Sequence, residues 1–122
     1  MLRDAVRDFM QKESSPRKVR EAWESETGRS TERWKQLGDL GILGLTIPEE
    51  FGGAGMDEVD LVLVLEEAGR NVLPEPLLEH AAVGAPLMAR AGTDAQKAKW
   101  LPKLASGEET VSIALASEPY VL

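Results

Sequence analysis

LGDLGILGLTIPEEFGGAG, Leu37 to Gly55, reads as the end of a helix running into a shaped loop, and the fold is decided there. Leu37, Leu40, Leu43 and Leu45 supply apolar anchors. Gly38, Gly41 and Gly44 recur every third residue, so backbone can meet backbone where side chains would block it. Pro48 then removes an amide donor and disfavours helical geometry at Ile47. Gly52, Gly53 and Gly55 permit tight turns around the aromatic Phe51. On physics alone, the same residues would also serve an ordinary helix terminus and surface loop.

Upstream, Ser30 or Thr31 caps a helix whose Trp34, Leu37 and Leu40 are predicted to face a common surface. Before it, Leu2, Val6, Phe9 and Met10 fall at helical spacing and form one buried stripe. Ser14, Ser15 and Pro16 break that helix, and a second, through Val19, Ala22 and Trp23, is predicted to end at Gly28. Downstream, Asp57 caps a helix from Glu58 to about Val72. Its centre, Leu61 to Leu65, is apolar on all sides, which predicts a pillar surrounded by other helices. Pro74 and Pro76 enforce a turn into a small-residue helix, Leu77 to Met88, bent near Gly84 and Pro86. Thr93 or Asp94 caps the next helix, with Ala98, Leu101 and Leu104 inward and Pro102 shortening or kinking it. Thr110 to Ser117 then alternates like a strand, and the chain offers no second convincing strand to pair with it. A domain boundary is therefore expected at that end.

A chain of 122 residues suits one domain with a moderate core, and 43% hydrophobic against 29% charged residues fits a folded, soluble protein. The net charge of -7 repels phosphate backbones and anionic lipid, so neither nucleic acid nor a membrane is an expected partner. Without cysteine and with one histidine, neither a disulfide framework nor a zinc site is expected. The longest apolar run is too short to span a bilayer, and the charged start shows no signal peptide, so a cytoplasmic location is expected.

Chemistry-bearing motifs have bland readings that suit them better. The pairs Glu49-Glu50, Glu66-Glu67 and Glu108-Glu109 have no nameable catalytic partner and read as solvated charge and helix pairing. FGGAG lacks the preceding strand and the spacing of a dinucleotide fingerprint. Trp23, Trp34 and Trp100 read as anchors of helix packing, because an acidic chain lacks the basic groove that stacked bases would need. Lys97, Lys99 and Lys103 read as a solvated helix face.

LGDLGILGLTIPEEFGGAGMDEVDLVLVLEEAGR, with TDAQKAKWLPKLASGE and SIALASEP further on, closely resembles the amino-terminal helical domain of acyl-CoA dehydrogenases. The resemblance runs from about Trp34 to Pro119. It implies an all-α bundle of five or six helices over residues 1–109, with residues 110–122 starting a strand into a middle β-domain outside this chain. It further implies FAD as cofactor, with Ala114, Ala116 and Ser117 against the flavin ring; a hydroxyl there can donate to a ring acceptor without charging the site. The helix carrying His80, Val83, Gly84 and Leu87 would form one wall of the acyl pocket.

The implied activity is α,β-dehydrogenation of an acyl-CoA thioester to the trans-2-enoyl-CoA, with electrons passed to an electron-transfer flavoprotein by a homo- or hetero-oligomer. The family's catalytic glutamate lies in a second helical domain, so no catalytic residue or metal ligand is assigned here. Where the family continues after Glu-Pro with a Gly/Ala-rich Ser-Asp turn, this sequence reads Tyr120-Val121-Leu122. The isolated chain is therefore expected to be inactive and not to hold FAD tightly. Two rival functions share the sequence pattern: a non-catalytic helical packing or regulatory module, and a related flavin-dependent oxidase such as a nitroalkane oxidase or acyl-CoA oxidase.

Overall fold

A computed structural model of the chain describes residues 1–114. Six α-helices follow in order: α1 (Leu2–Glu13), α2 (Pro16–Glu24), α3 (Thr31–Asp39), α4 (Glu58–Arg70), α5 (Ala85–Ala91) and α6 (Asp94–Ser106). A 3-10 turn (Glu49–Phe51) sits in the loop before α4, and a π-helical stretch (Leu78–Gly84) leads straight into α5. Among the described residues there is no strand; 110–114 carry no regular structure, and the rest of the expected strand lies outside them.

The stretch from Leu37 to Gly55 folds as its glycines and proline require. Gly41 takes φ +74° at the end of α3, and the Ile42 amide reaches back to the Leu37 carbonyl at 3.0 Å. This is how a left-handed residue satisfies the last carbonyls of a helix. The amides of Ala54, Gly55 and Met56 then donate to the carbonyls of Gly44, Ile47 and Leu45 at 3.0, 2.9 and 2.9 Å, closing the loop on itself. Gly38 and Gly44 serve the close approach instead. A Cβ on Gly38 would lie 2.3 Å from the Ser106 carbonyl oxygen, and one on Gly44 would lie 2.7 Å from the Ala105 Cβ, so α6 packs directly on this backbone.

Two cores result. The larger joins Val6 and Met10 of α1, Trp34 and Leu37 of α3, Ile42, Leu43 and Leu45 of the loop, and Leu61, Val64 and Ala68 of α4. The smaller gathers Ile47, Ala85, Leu101, Leu104 and Ala105 beneath the 3-10 turn. A buried Leu or Ile contributes roughly 1.5–3 kcal/mol, so these two clusters dominate the stability. Caps fix the helix starts: the Asp57 carboxylate accepts from the Val59 and Asp60 amides, and Thr93 forms a reciprocal capping box with Gln96.

Several expectations need correction. Val59 and Val62 of α4 are 69% and 59% exposed, so α4 is amphipathic rather than surrounded; Leu61, Val64 and Ala68 form its inward stripe. Leu40 is exposed because α3 ends before it, so only Trp34 and Leu37 share the buried face. Trp23 is 61% exposed and anchors no core, while Trp100 is half-buried with the Lys99 ammonium 4.6 Å above its ring. Ala98 is exposed, and α6 runs through Pro102 to Ser106. α2 ends at Glu24, four residues short of Gly28, where the Ser25 hydroxyl and amide both turn back to the Ala22 carbonyl.

Glu67 is also not solvated. It is 1% exposed, accepting from Arg7 at 2.8 Å and from Arg3 at 3.3 Å, and these bonds tie α1 to α4. The Arg7 hydrogen bond holds its carboxyl below the usual carboxylate range. A second long-range pair is deeper. The Arg33 guanidinium meets Glu75 at 2.8 Å and the Glu13 carbonyl at 2.7 Å, with both charged residues 5% exposed.

Candidate functional site

The residues read from sequence as a substrate wall fall on the π-helical stretch and the start of α5. A π register widens the backbone spiral by one residue per hydrogen-bonded turn, a feature that recurs at functional sites. Here it gives the helix two differently treated sides. His80, Ala81 and Gly84 are buried, whereas Val83 and Leu87 are 40% and 45% exposed. Val83 and Leu87 lie four apart in sequence, so the structure leaves an apolar pair uncovered on the outside of this helix.

His80 faces the other way and is fully enclosed. Its Nδ1 accepts the Val111 amide at 3.2 Å, so that nitrogen carries no proton, and its Nε2–H donates to the Leu104 carbonyl at 3.0 Å. Trp34 meets the ring edge-on, with centroids 5.0 Å apart and planes at 81°. Burial pushes the His80 pKa below its ordinary value, partly countered by the bond to Leu104. A neutral imidazole with both nitrogens engaged is not poised to exchange protons with a substrate; it is a connector between α3, the π stretch, α6 and the outgoing chain.

Gly84 completes that connection. A Cβ there would stand 2.4 Å from Val111 Cγ1, so the missing side chain makes the notch that Val111 occupies. Val111 and Ile113 are half-buried while Ser112 and Ala114 are exposed, so the inward-outward alternation read from sequence holds as far as the described residues go. Of the three residues assigned to flavin, Ala114 is exposed at the end of this segment; Ala116 and Ser117 lie outside the described residues. No group of three or more Asp, Glu or His side chains able to hold a metal is present among the described residues. No helix there is long and apolar enough to cross a membrane.

Sequence reasoning did not find the partners of His80. Nothing in the spacing links His80 to Val111 or Trp34, which lie 31 and 46 residues away. The available signal was a glycine, Gly84, inside a helix two residues before a proline, which marks a close approach as often as a bend.

Helix order and the glycine loop closed by its own backbone hydrogen bonds together define a helical-bundle domain. The description "Acyl-CoA dehydrogenase, N-terminal domain" matches residues 1–108, and the chain belongs to the acyl-CoA dehydrogenase family, as its N-terminal domain. Mitochondrial isovaleryl-CoA dehydrogenase of Pongo abelii is 38% identical over 120 residues, covering 97% of this chain and 28% of that protein. In the ChsE4-ChsE5 complex from Mycobacterium tuberculosis, one chain is 30% identical with a TM-score of 0.87, covering 97% of this chain and 32% of that one. An acyl-CoA dehydrogenase from Bacillus anthracis, solved with FAD, is 32% identical with a TM-score of 0.81, covering 90% of this chain and 19% of that one. This chain therefore spans less than a third of the length of these three relatives.

Proposed function

We propose that this chain is the amino-terminal helical domain of an FAD-dependent enzyme that dehydrogenates an acyl-CoA thioester to the trans-2-enoyl-CoA. Its part is to supply one wall of the acyl pocket and the first contact to the flavin. The observation that carries this reading is the uncovered apolar pair Val83 and Leu87 on a helix whose buried side holds the chain leading to Ala114. An acyl chain gains about 0.8 kcal/mol per buried methylene, and Val83 and Leu87 offer apolar surface for that burial. Gly84 lies between the two, and His80 supports the wall from behind.

Ala114 fits a flavin contact. Its side chain is small and its position exposed, so a planar ring can approach the backbone. Bound flavin supplies the acceptor for a hydride. The residues of this chain exclude water from the acyl group, orient it and, at positions 114, 116 and 117, hold the ring. The general base belongs to residues outside this chain. The relative solved with FAD and the two-component ChsE4-ChsE5 relative support this cofactor and a homo- or hetero-oligomeric assembly. Delivery of electrons to an electron-transfer flavoprotein, in the cytoplasm, completes the proposal.

The test compares this chain with a version extended through the family's next two domains, by flavin absorbance and by bleaching with a panel of acyl-CoA thioesters. The extended protein is expected to be yellow and to bleach, and the short chain to do neither. An extended protein that folds but takes up no flavin, or a short chain that is yellow and substrate-bleached, would overturn the division of labour.

A further inference from the structure

We infer that His80 is a positioning residue that fixes where the chain leaves the helical bundle and so sets the approach of Ala114 to its ligand. The inference deepens the flavin reading above and rests on it. After α6 the Glu109 amide donates to the Lys103 carbonyl at 3.2 Å and the Glu108 carboxylate pairs with Lys103 at 3.3 Å, both folding back on the end of α6; Glu108, Glu109 and Thr110 are exposed, and the first half-buried side chain beyond them is Val111. At that residue two independent restraints meet. The Val111 amide donates to His80 Nδ1 at 3.2 Å, and the Val111 side chain fills the notch at Gly84.

The imidazole is itself locked. Its Nε2–H is spent on the Leu104 carbonyl at 3.0 Å, and Trp34 stands against the ring edge-on. Trp34 in turn donates its Nε1–H to the Gly107 carbonyl at 3.1 Å, so the end of α6 and the outgoing segment are referenced to the same two rings. Only the neutral Nε2–H form performs both jobs, since a proton on Nδ1 would face the Val111 N–H donor to donor. Ala114 lies three residues beyond Val111, a span of about 10 Å when extended, so a shift at the latch is carried to it.

The experiment compares this chain with His80→Leu, which keeps the bulk and loses both bonds, and His80→Gln, whose amide offers an acceptor and a donor about as far apart as the two ring nitrogens. Amide hydrogen exchange at Val111 is read against amides of α4 as an internal reference for the fold. Val111 exchange is expected to rise about tenfold or more in His80→Leu and to return most of the way in His80→Gln, with α4 unchanged. In the unsubstituted chain, imidazole nitrogen shifts are expected to show Nε2 protonated and Nδ1 bare at neutral pH. A through-hydrogen-bond coupling between the Val111 amide nitrogen and Nδ1, expected in the unsubstituted chain, decides the matter even where His80→Leu fails to fold. Equal Val111 exchange in all three proteins, or a proton found on Nδ1, would overturn the inference. In the extended protein, flavin binding is expected to weaken about tenfold in His80→Leu and much less in His80→Gln. Absence of flavin from the unsubstituted extended protein, with the exchange difference intact, would remove the flavin reading and leave the latch standing.

Discussion

Replacing Gly38 by alanine tests whether α3 and α6 are packed backbone to backbone. The new Cβ would begin 2.3 Å from the Ser106 carbonyl oxygen and 3.0 Å from its carbon, and neither belongs to a flexible side chain. Ordinary contact starts near 3.4 Å, so the end of α6 must move by about 1 Å. Overpacking of this kind costs about 1–3 kcal/mol. The shift also strains the Trp34 to Gly107 hydrogen bond of 3.1 Å, worth about 1 kcal/mol. Alanine returns about 1 kcal/mol as the better helix former. The balance is a loss of about 2 kcal/mol, or roughly 8 °C in Tm for a domain of this size.

Gly69→Ala is the matched control, because a Cβ there meets nothing within 4 Å on the exposed side of α4. It should stabilise by about 0.5–1 kcal/mol. Urea unfolding of both variants, followed by tryptophan fluorescence, gives the comparison, and the amide shifts of Ser106 and Gly107 report the movement. Equal stability of the two variants, or Gly38→Ala with those shifts unmoved, would refute the close-approach argument.

Arg33→Met should cost about 3–5 kcal/mol by leaving the buried Glu75 charge unpaired, and Arg33→Met with Glu75→Leu should cost less than the single change; denaturant midpoints decide it. Thr93→Ala removes half of the capping box of α6 and should lower stability by about 1 kcal/mol, with faster amide exchange confined to the first turn of that helix. The acid limb should have two parts. Because burial lowers the folded pKa of His80 below its ordinary 6.5, the unfolded chain binds the proton first, and stability should fall as pH drops from 6.5 toward the lower folded value. Glu13, Glu66 and Glu67, held low by Lys18, Arg70 and Arg7 respectively, should withdraw their contribution only as pH falls below 4.5. His80→Gln should abolish the upper part alone, and an unchanged slope in urea midpoints there would contradict the assignment.

What could be read from sequence was whatever is written locally. Asp57, Ser30 and Thr93 cap their helices because a cap needs only its own residue and the next three. The glycines at 38, 41 and 44 announced a close approach, but a shared spacing concealed two causes: Gly41 is a left-handed helix end and the others touch α6. The errors fall where burial depends on distant partners. Leu61 to Leu65 is uniformly apolar, yet only Leu61 and Val64 of it are fully buried, because the number of neighbours on each side is a property of the assembly. Glu67 carries no local mark of the two arginines from α1 that enclose it. For the candidate site, the helix bearing Val83 and Leu87 was legible as a small-residue helix bent near Gly84, whereas its π register and the hidden role of His80 required tertiary contacts.

The seven residues from Leu78 to Gly84 also govern rotation. Because each π turn holds about one residue more than an α turn, the stretch takes up an extra residue while keeping α5 close to the phase an uninterrupted α-helix would give it. Removing one residue there and restoring the i→i−4 register would leave Met88 and Ala89 on the smaller core. Removing one residue within α5 itself would turn every later side chain by about 100° about the helix axis. A change of length is therefore absorbed where the spiral is wide and is felt in full one turn later.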